Sequence, residues 1–203
     1  MKQIAFIRPE GDPVAQVLSS YALAVIANVS ALSTLLVQDL VGAQATRANI
    51  EQVIGQAEVA VYFGHGQDKQ LGQTAALVDT ANIGRAQGAV VIAVCCDSSI
   101  ALGKDAVAQG VDCYVGFDDI LVVYHGNTSL FGSVFNVALV DFLGGTFDAK
   151  TCRERMIDGF RFLENRYRND PNYNGHPDAA VIWLASHVNW RGACLDGNGA
   201  ATV

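Results

Sequence analysis

No two cysteines in this chain stand in a CxxC spacing, and the five present are an odd number with two adjacent. No spacing resembles a disulfide framework or a CxxC metal site, and reduced thiols in a cytoplasm are the expectation. Long apolar runs are missing as well, because polar or glycine positions break each one before the roughly 20 residues that cross a bilayer. Residues 1–8 carry too short an apolar run for a signal peptide. Neither export nor a membrane role is expected. Basic charge is short: 13 Lys and Arg against 20 Asp and Glu leave a net charge of −7, which disfavours a general nucleic-acid binder. Internal repeats, linkers and low-complexity tracts are absent. Asp196-Gly197-Asn198-Gly199 lacks a phosphate-loop spacing and reads as a turn.

What is present is a chain of 203 residues, 51% hydrophobic and 16% charged. Chains of roughly 150 residues already bury most of their unfolded surface, so one domain over 1–203 is expected. Long apolar stretches with little charge fit a parallel sheet covered by helices on both faces. The predicted fold is therefore a three-layer α/β/α sandwich with a mainly parallel sheet. A first strand at 1–8 leads to a loop in which Asp12 caps a helix and Pro13 opens it, running to about Asn28. A strand at 33–38 and an amphipathic helix at 45–57 follow, with Ile50, Val53 and Ile54 on one face. Two further strands end at His65 and at Cys95-Cys96, and the polar segment 67–88 between them holds a short strand or turn at Leu77-Val78 and a short helix at 82–86. Then come a helix at 100–109 closed by Gly110, a strand at 111–115 and an apolar, β-branched run at 120–124. Asn127-Thr128-Ser129 can cap a helix through Leu143 that Gly144-Gly145 ends. The last elements are a helix at 149–168 whose basic residues alternate with acids, as on a solvated face, a helix at 178–188 and an edge strand at 192–195.

The chemistry lies at two strand ends, Val59-Ala60-Val61-Tyr62-Phe63-Gly64-His65-Gly66 and Ala89-Val90-Val91-Ile92-Ala93-Val94-Cys95-Cys96-Asp97-Ser98. Side chains leaving neighbouring strands of a parallel sheet share one edge, so an imidazole and a thiol can meet there. His65 is the candidate base for a thiolate nucleophile. Gly66, and the backbone N–H of Cys96 or of its neighbour Asp97, are candidate donors to the oxyanion of an acyl intermediate. Adjacent strand residues face opposite sides, so only one of the two cysteines faces the crevice. Cys96 lies nearer the turn, while Cys95 extends the apolar run as a small buried hydrophobe.

These blocks resemble the caspase-like (clan CD) cysteine peptidases, above all the CHAT, separase-like and gingipain-like domains. Gly42-Ala43-Gln44-Ala45-Thr46-Arg47 resembles the CHAT lead-in, Gly64-His65-Gly66 the His-Gly block, and Cys95-Cys96-Asp97-Ser98 the Ala-Cys-x-Ser nucleophile block. Gly110-Val111-Asp112-Cys113-Tyr114-Val115-Gly116-Phe117 and the Phe-rich stretch 131–145 extend the likeness, which covers about Gly42 to Gly145. The resemblance implies a cysteine endopeptidase of caspase-hemoglobinase fold with Cys96 as nucleophile and His65 as its partner. It implies a peptide or protein substrate and no metal or cofactor. Two departures matter. Val94 stands two before the nucleophile, where legumain-, caspase- and clostripain-like enzymes carry an acid or amide in the S1 pocket. The repeat modules usually joined to CHAT domains are missing, so a regulator is expected on a separate chain.

Blander readings compete. The same fold serves equally as a catalytically inactive regulatory or scaffolding module, or as a flavodoxin-like binding domain with no relation to peptidases. Cys113, Cys152 and Cys194 read as packing residues. His125-Gly126 repeats the His-Gly pair but follows the candidate nucleophile, against the family order. Asp97, Asp118 and Asp119 are candidates for a cluster that favours a basic substrate side chain, although loop aspartates are more often caps.

Overall fold

Apolar runs that mix β-branched, small and aromatic side chains, with charge only at the two ends of the first, build the centre of the molecule. The computed structural model describes the whole chain, Met1–Val203. β1 (Lys2–Arg8), β3 (Val59–Phe63), β7 (Val90–Val94) and β8 (Cys113–Phe117) lie in one sheet, and every residue of the last three is buried. Strands of this kind are apolar throughout because helices cover both of their faces. β2 (Leu35–Val41) and β9 (Ala193–Gly197) complete the order β2-β1-β3-β7-β8-β9. All neighbours are parallel except β8 and β9. The loops after β1, β3, β7 and β8 consequently leave from one edge.

Period-two alternation sorts the core into two layers. Ile4, Phe6, Val61, Phe63, Ile92 and Val94 meet α1 (Pro13–Ser30), α4 (Thr128–Leu143) and α5 (Ala149–Asn169). Ala5, Ile7, Ala60, Tyr62, Ala93 and Cys95 meet α2 (Arg47–Ile54) and α3 (Leu102–Ala108) on the other face. Side chains the sequence supplies set the starts of α1, α4 and α5. Asp12 Oδ1 accepts the N–H groups of Val14 and Ala15 at 2.8 and 3.0 Å, Asn127 Oδ1 that of Ser129 at 3.1 Å, and Asp148 Oδ1 that of Thr151 at 2.8 Å. The Phe-rich α4 locks the first layer edge-on: Phe131 and Phe135 lie 5.4 and 5.6 Å from Phe160, and Phe135 lies 5.9 Å from Phe63.

The expectation about apolar runs is too strict for α1. It carries no charge over 18 residues and by length and composition is long enough to cross a membrane. Leu18, Tyr21 and Val25 nevertheless bury one side of it in the first layer. β2 also differs from the predicted 33–38, because Asp39 lies inside the strand. Arg8 receives that carboxylate through Nε and Nη2 at 2.8 and 2.7 Å and makes the charge tolerable. A small antiparallel sheet of β4 (Gly66–Gln67), β5 (Gln70–Leu71) and β6 (Val78–Asp79) fills the polar segment after His65, where only the last strand was expected.

The β-branched run 120–124 is no strand. At its centre one buried side chain takes the place of a neighbouring strand: Asn189 Oδ1 accepts from Val122 N–H at 2.8 Å and Asn189 Nδ2 donates to Val122 O at 2.9 Å. Asn189 sits on α6 (Ala179–Gly192), which continues past the predicted end at Val188 because Asn189 and Trp190 both find partners.

Glu164 ties α5 to α6. It accepts the Trp190 indole N–H at 2.6 Å, and His187 Nδ1 lies 3.1 Å from it. Burial pushes its pKa up, but the bonds from Trp190 and His187 outweigh that and hold it below its ordinary 4.5. A carboxylate with a depressed folded pKa contributes stability above its unfolded value and loses it as pH falls through the folded one. Acidification from about pH 5 to pH 3 is therefore expected to lower the melting temperature less steeply in Glu164→Gln than in the parent. Parallel slopes in the two proteins would show that Glu164 carries no proton-linked stability.

Candidate active site

β3 and β7 pair so that Phe63 lies opposite Val94, and Gly64 N–H donates to Val94 O at 3.3 Å. The two chemistry-bearing segments thus leave adjacent strand ends. Gly66 brings them into contact: a Cβ there would collide with the Cys96 carbonyl and stand 2.5 Å from Cys95 Sγ. Gly72 N–H donates to His65 O at 2.8 Å, and Gly66 faces Leu71 in the next pair of the ladder. In an antiparallel ladder bonded pairs alternate with unbonded ones, so the Gly66 N–H turns away from β5.

The two cysteines divide as alternation requires. Cys95 is fully buried in the α2 and α3 layer, and burial pushes its thiol up to about 12. Cys96 is half-buried at the margin of the other layer, where its Sγ accepts the Leu121 N–H at 3.3 Å. Burial raises the Cys96 pKa, the Leu121 N–H opposes it, and the Asp97 and Asp119 carboxylates add to the rise. The thiol is therefore held protonated in this conformation. Asp97 is the one non-glycine residue with positive φ, at 56°, which turns the chain sharply just after Cys96. Its N–H is committed to Asp119 O at 3.2 Å, whereas the Cys96 N–H has no backbone acceptor.

His65 is oriented by a residue that sequence reading assigned only to capping. Asp12 uses Oδ1 for the start of α1 and Oδ2 for His65 Nε2, at 2.8 Å. The amide of Ala15 does most to lower the Asp12 pKa, against burial, and His65 adds to it. A carboxylate there takes the proton on Nε2, which leaves the lone pair on Nδ1. No hydrogen bond joins His65 to Cys96: the ring pairs with Asp12 and the thiol with Leu121. A cavity of about 260 Å³ opens beside His65, walled by Pro9, Asp12, Ala45, Gly72 and Leu77, and Cys96 lies outside it.

The loop that carries Asp12 is anchored from below. Arg8, nearly buried, donates to Ser19 Oγ at 2.7 Å, and Ser19 Oγ donates to Glu10 at 2.6 Å. The block read as a lead-in forms the opposite wall. Thr46 caps α2, and Arg47 donates to Asp79 at 2.7 and 2.9 Å and to Ala76 O at 3.1 Å, fixing the loop after β5. The three candidate aspartates do not gather. Asp97 and Asp119 flank Cys96, while Asp118 faces Cys194. Val94 is fully buried, and His125 stays exposed before α4.

Two residues with a positioning role escaped the sequence: Asp12 as the partner of His65, and Asn189, which holds the segment that bonds Cys96. Asp12 had a usable signal, since β1 neighbours β3 and their loops share an edge. No family model matches the chain, and no curated protein matches it in sequence. In three dimensions it is similar to a solved structure described as "Structure of Protease", with a TM-score of 0.65 and 13% identity over 98% of this chain and 48% of that one. The chain spans about half the length of that protein, and at this identity the likeness is one of fold.

Proposed function

We propose that the chain is a peptidase unit of caspase-like type, in which Cys96 attacks a peptide carbonyl and His65 moves the proton. The observation that carries this is that the segments bearing His65 and Cys96 leave adjacent strand ends and touch through Gly66, whose missing side chain admits the Cys96 carbonyl. In the first step the S–H bond breaks, its proton passes to His65 Nδ1, and sulfur bonds the carbonyl carbon. The N–H groups of Gly66 and Cys96 hold the resulting oxyanion. His65 then gives its proton to the leaving amine as the C–N bond breaks. Water, deprotonated by His65, releases the acyl group and restores the thiol. Asp12 keeps the ring in the tautomer this sequence requires. For the pair to close, the ring and the thiol approach each other as substrate enters, with the thiol leaving Leu121. The five free cysteines suit a reducing cytoplasm, and a separate regulatory chain is a natural trigger for the closure.

A second reading, an inactive regulatory module, is favoured by the protonated thiol and by the Asp12-bound ring. Two reagents separate the readings. A small alkylating agent is expected to label Cys96 slowly, with an apparent pKa above the usual thiol value and no change in His65→Ala. A library of peptidyl electrophiles, which fill the substrate site, is expected to label Cys96 much faster than the small reagent and to lose that advantage in His65→Ala. Equal rates for both reagents would support the inactive module.

A further inference from the structure

The cavity of about 260 Å³ beside His65 lies on the side of the site away from the thiol. Sheet order sets that side: β7 carries Cys96, β3 carries His65, and β1 lies beyond β3. The loop after β1, the lead-in to α2 and the loop after β5 wall the cavity, while Leu121, which bonds the thiol, belongs to the segment after β8. On the peptidase reading, on which this inference rests, the carbonyl carbon bonds sulfur and the leaving nitrogen takes its proton from His65. The amine half of the scissile bond is therefore the half that faces the cavity.

The polar groups at the back of the cavity are already used. Asp12 is the one carboxylate that lines it, and its two oxygens serve the N–H groups of Val14 and Ala15 and the His65 ring. The Tyr62 hydroxyl donates to His65 O at 2.8 Å, and Gly72 N–H donates to the same oxygen. Arg47, which anchors the loop after β5, spends its guanidinium on Glu51, Asp79 and Ala76 O. Gln73 and Thr74 are exposed at the rim. What is left inside is apolar: Pro9, Ala15, Ala45, Leu77 and the Tyr62 ring. An ionised side chain entering here loses its water and gains no partner, whereas an apolar one gains by leaving water. A cavity of about 150 Å³ admits benzene, so this one has room for a branched aliphatic or a phenyl side chain.

We infer that this cavity selects the substrate residue that follows the scissile bond, favouring an uncharged aliphatic or phenyl side chain, and that Ala45 and Leu77 set the size it accepts. The test has two arms, and the first needs no cleavage. Leucinamide, which copies the amine-side product, is titrated into the full chain while NMR follows the His65 ring signals, assigned by their absence from His65→Ala. A saturable shift is expected, about tenfold weaker with glycinamide and weaker still with the amides of aspartate and lysine. In the second arm, peptides varied at that one position should be cleaved with kcat/KM about tenfold higher for Leu than for Gly or Asp. Ala45→Leu should turn the preference in both arms toward Gly and Ala, and Leu77→Ala should turn it toward Phe and Trp. A merely structural role for these side chains would instead weaken every ligand alike. The inference fails if leucinamide leaves the His65 ring unmoved, if glycinamide or a charged amide matches it, or if both variants keep the parent's order. Ordered amide binding without cleavage of any peptide sinks the peptidase reading and the specificity role with it. Cleavage indifferent to this position sinks the specificity role alone.

Discussion

Cys96→Ala is expected to lower the rate of peptide cleavage by at least about 10³-fold, because no other group then forms the covalent intermediate. Cys95→Ala is expected to leave cleavage within a small factor and to register instead as lost stability, since its sulfur is packed at full burial between Gly66 and the α2 and α3 layer. The contrast follows from one bond of chain geometry. Adjacent residues at the end of β7 point to opposite faces, and only the second carries its sulfur to the edge where Leu121 and Asp119 lie. Steady-state cleavage of a peptide library and urea melts of both variants read the two effects separately. Cleavage that survives Cys96→Ala but not Cys95→Ala would reverse the assignment.

On the proposed reading, the thiol environment would keep the nucleophile quiet at rest. Desolvation and two flanking carboxylates raise the Cys96 pKa, and one N–H from Leu121 is the main group opposing them. Leu121 is held in turn because its neighbour Val122 is bonded through both backbone groups to the Asn189 side chain. The resting thiol therefore depends on α6, an element whose Trp190 also reaches Glu164 on α5. A partner that shifts α6 has a physical route to the nucleophile through two hydrogen-bonded side chains.

Most of the scaffold was legible because the sequence states it locally. Burial on both faces reads directly from runs such as Val90-Val91-Ile92-Ala93-Val94, and Asp12 and the Asn127-Thr128-Ser129 run announce helix starts within three residues. Placement of His65 and Cys96 at neighbouring strand ends needed only the parallel-sheet rule. What stayed hidden depends on long-range pairing. Val122 looks like a strand residue and has a strand's hydrogen bonds, but an Asn side chain supplies them. Asp39 looks like a strand end until Arg8 neutralises it from the neighbouring strand. Likewise the Glu10-to-Pro13 loop declares a cap, and nothing local reveals that the cap has a second oxygen to give.

That second oxygen makes Asp12 the most instructive residue to change. Asn is as good an N-cap as Asp, so Asp12→Asn is expected to keep the bonds to Val14 and Ala15 and to leave folding stability nearly unchanged. It also offers an amide in place of the carboxylate at His65 Nε2, where its NH₂ group favours a ring with the lone pair on Nε2 and the proton on Nδ1. In the proposed mechanism Nδ1 takes the proton from Cys96, so kcat for peptide cleavage should fall by about 10²-fold or more, with little change in KM. Asp12→Ala removes both functions: the same loss in kcat accompanied by about 1 kcal/mol of destabilisation from the lost cap. A merely structural Asp12 predicts the opposite pattern, with Asn restoring both stability and rate. Comparing the two variants by kinetics and denaturation therefore isolates the orienting role from the capping role. An Asp12→Asn enzyme of full activity would mean that His65 works without this partner and that the 2.8 Å contact belongs to the resting state alone.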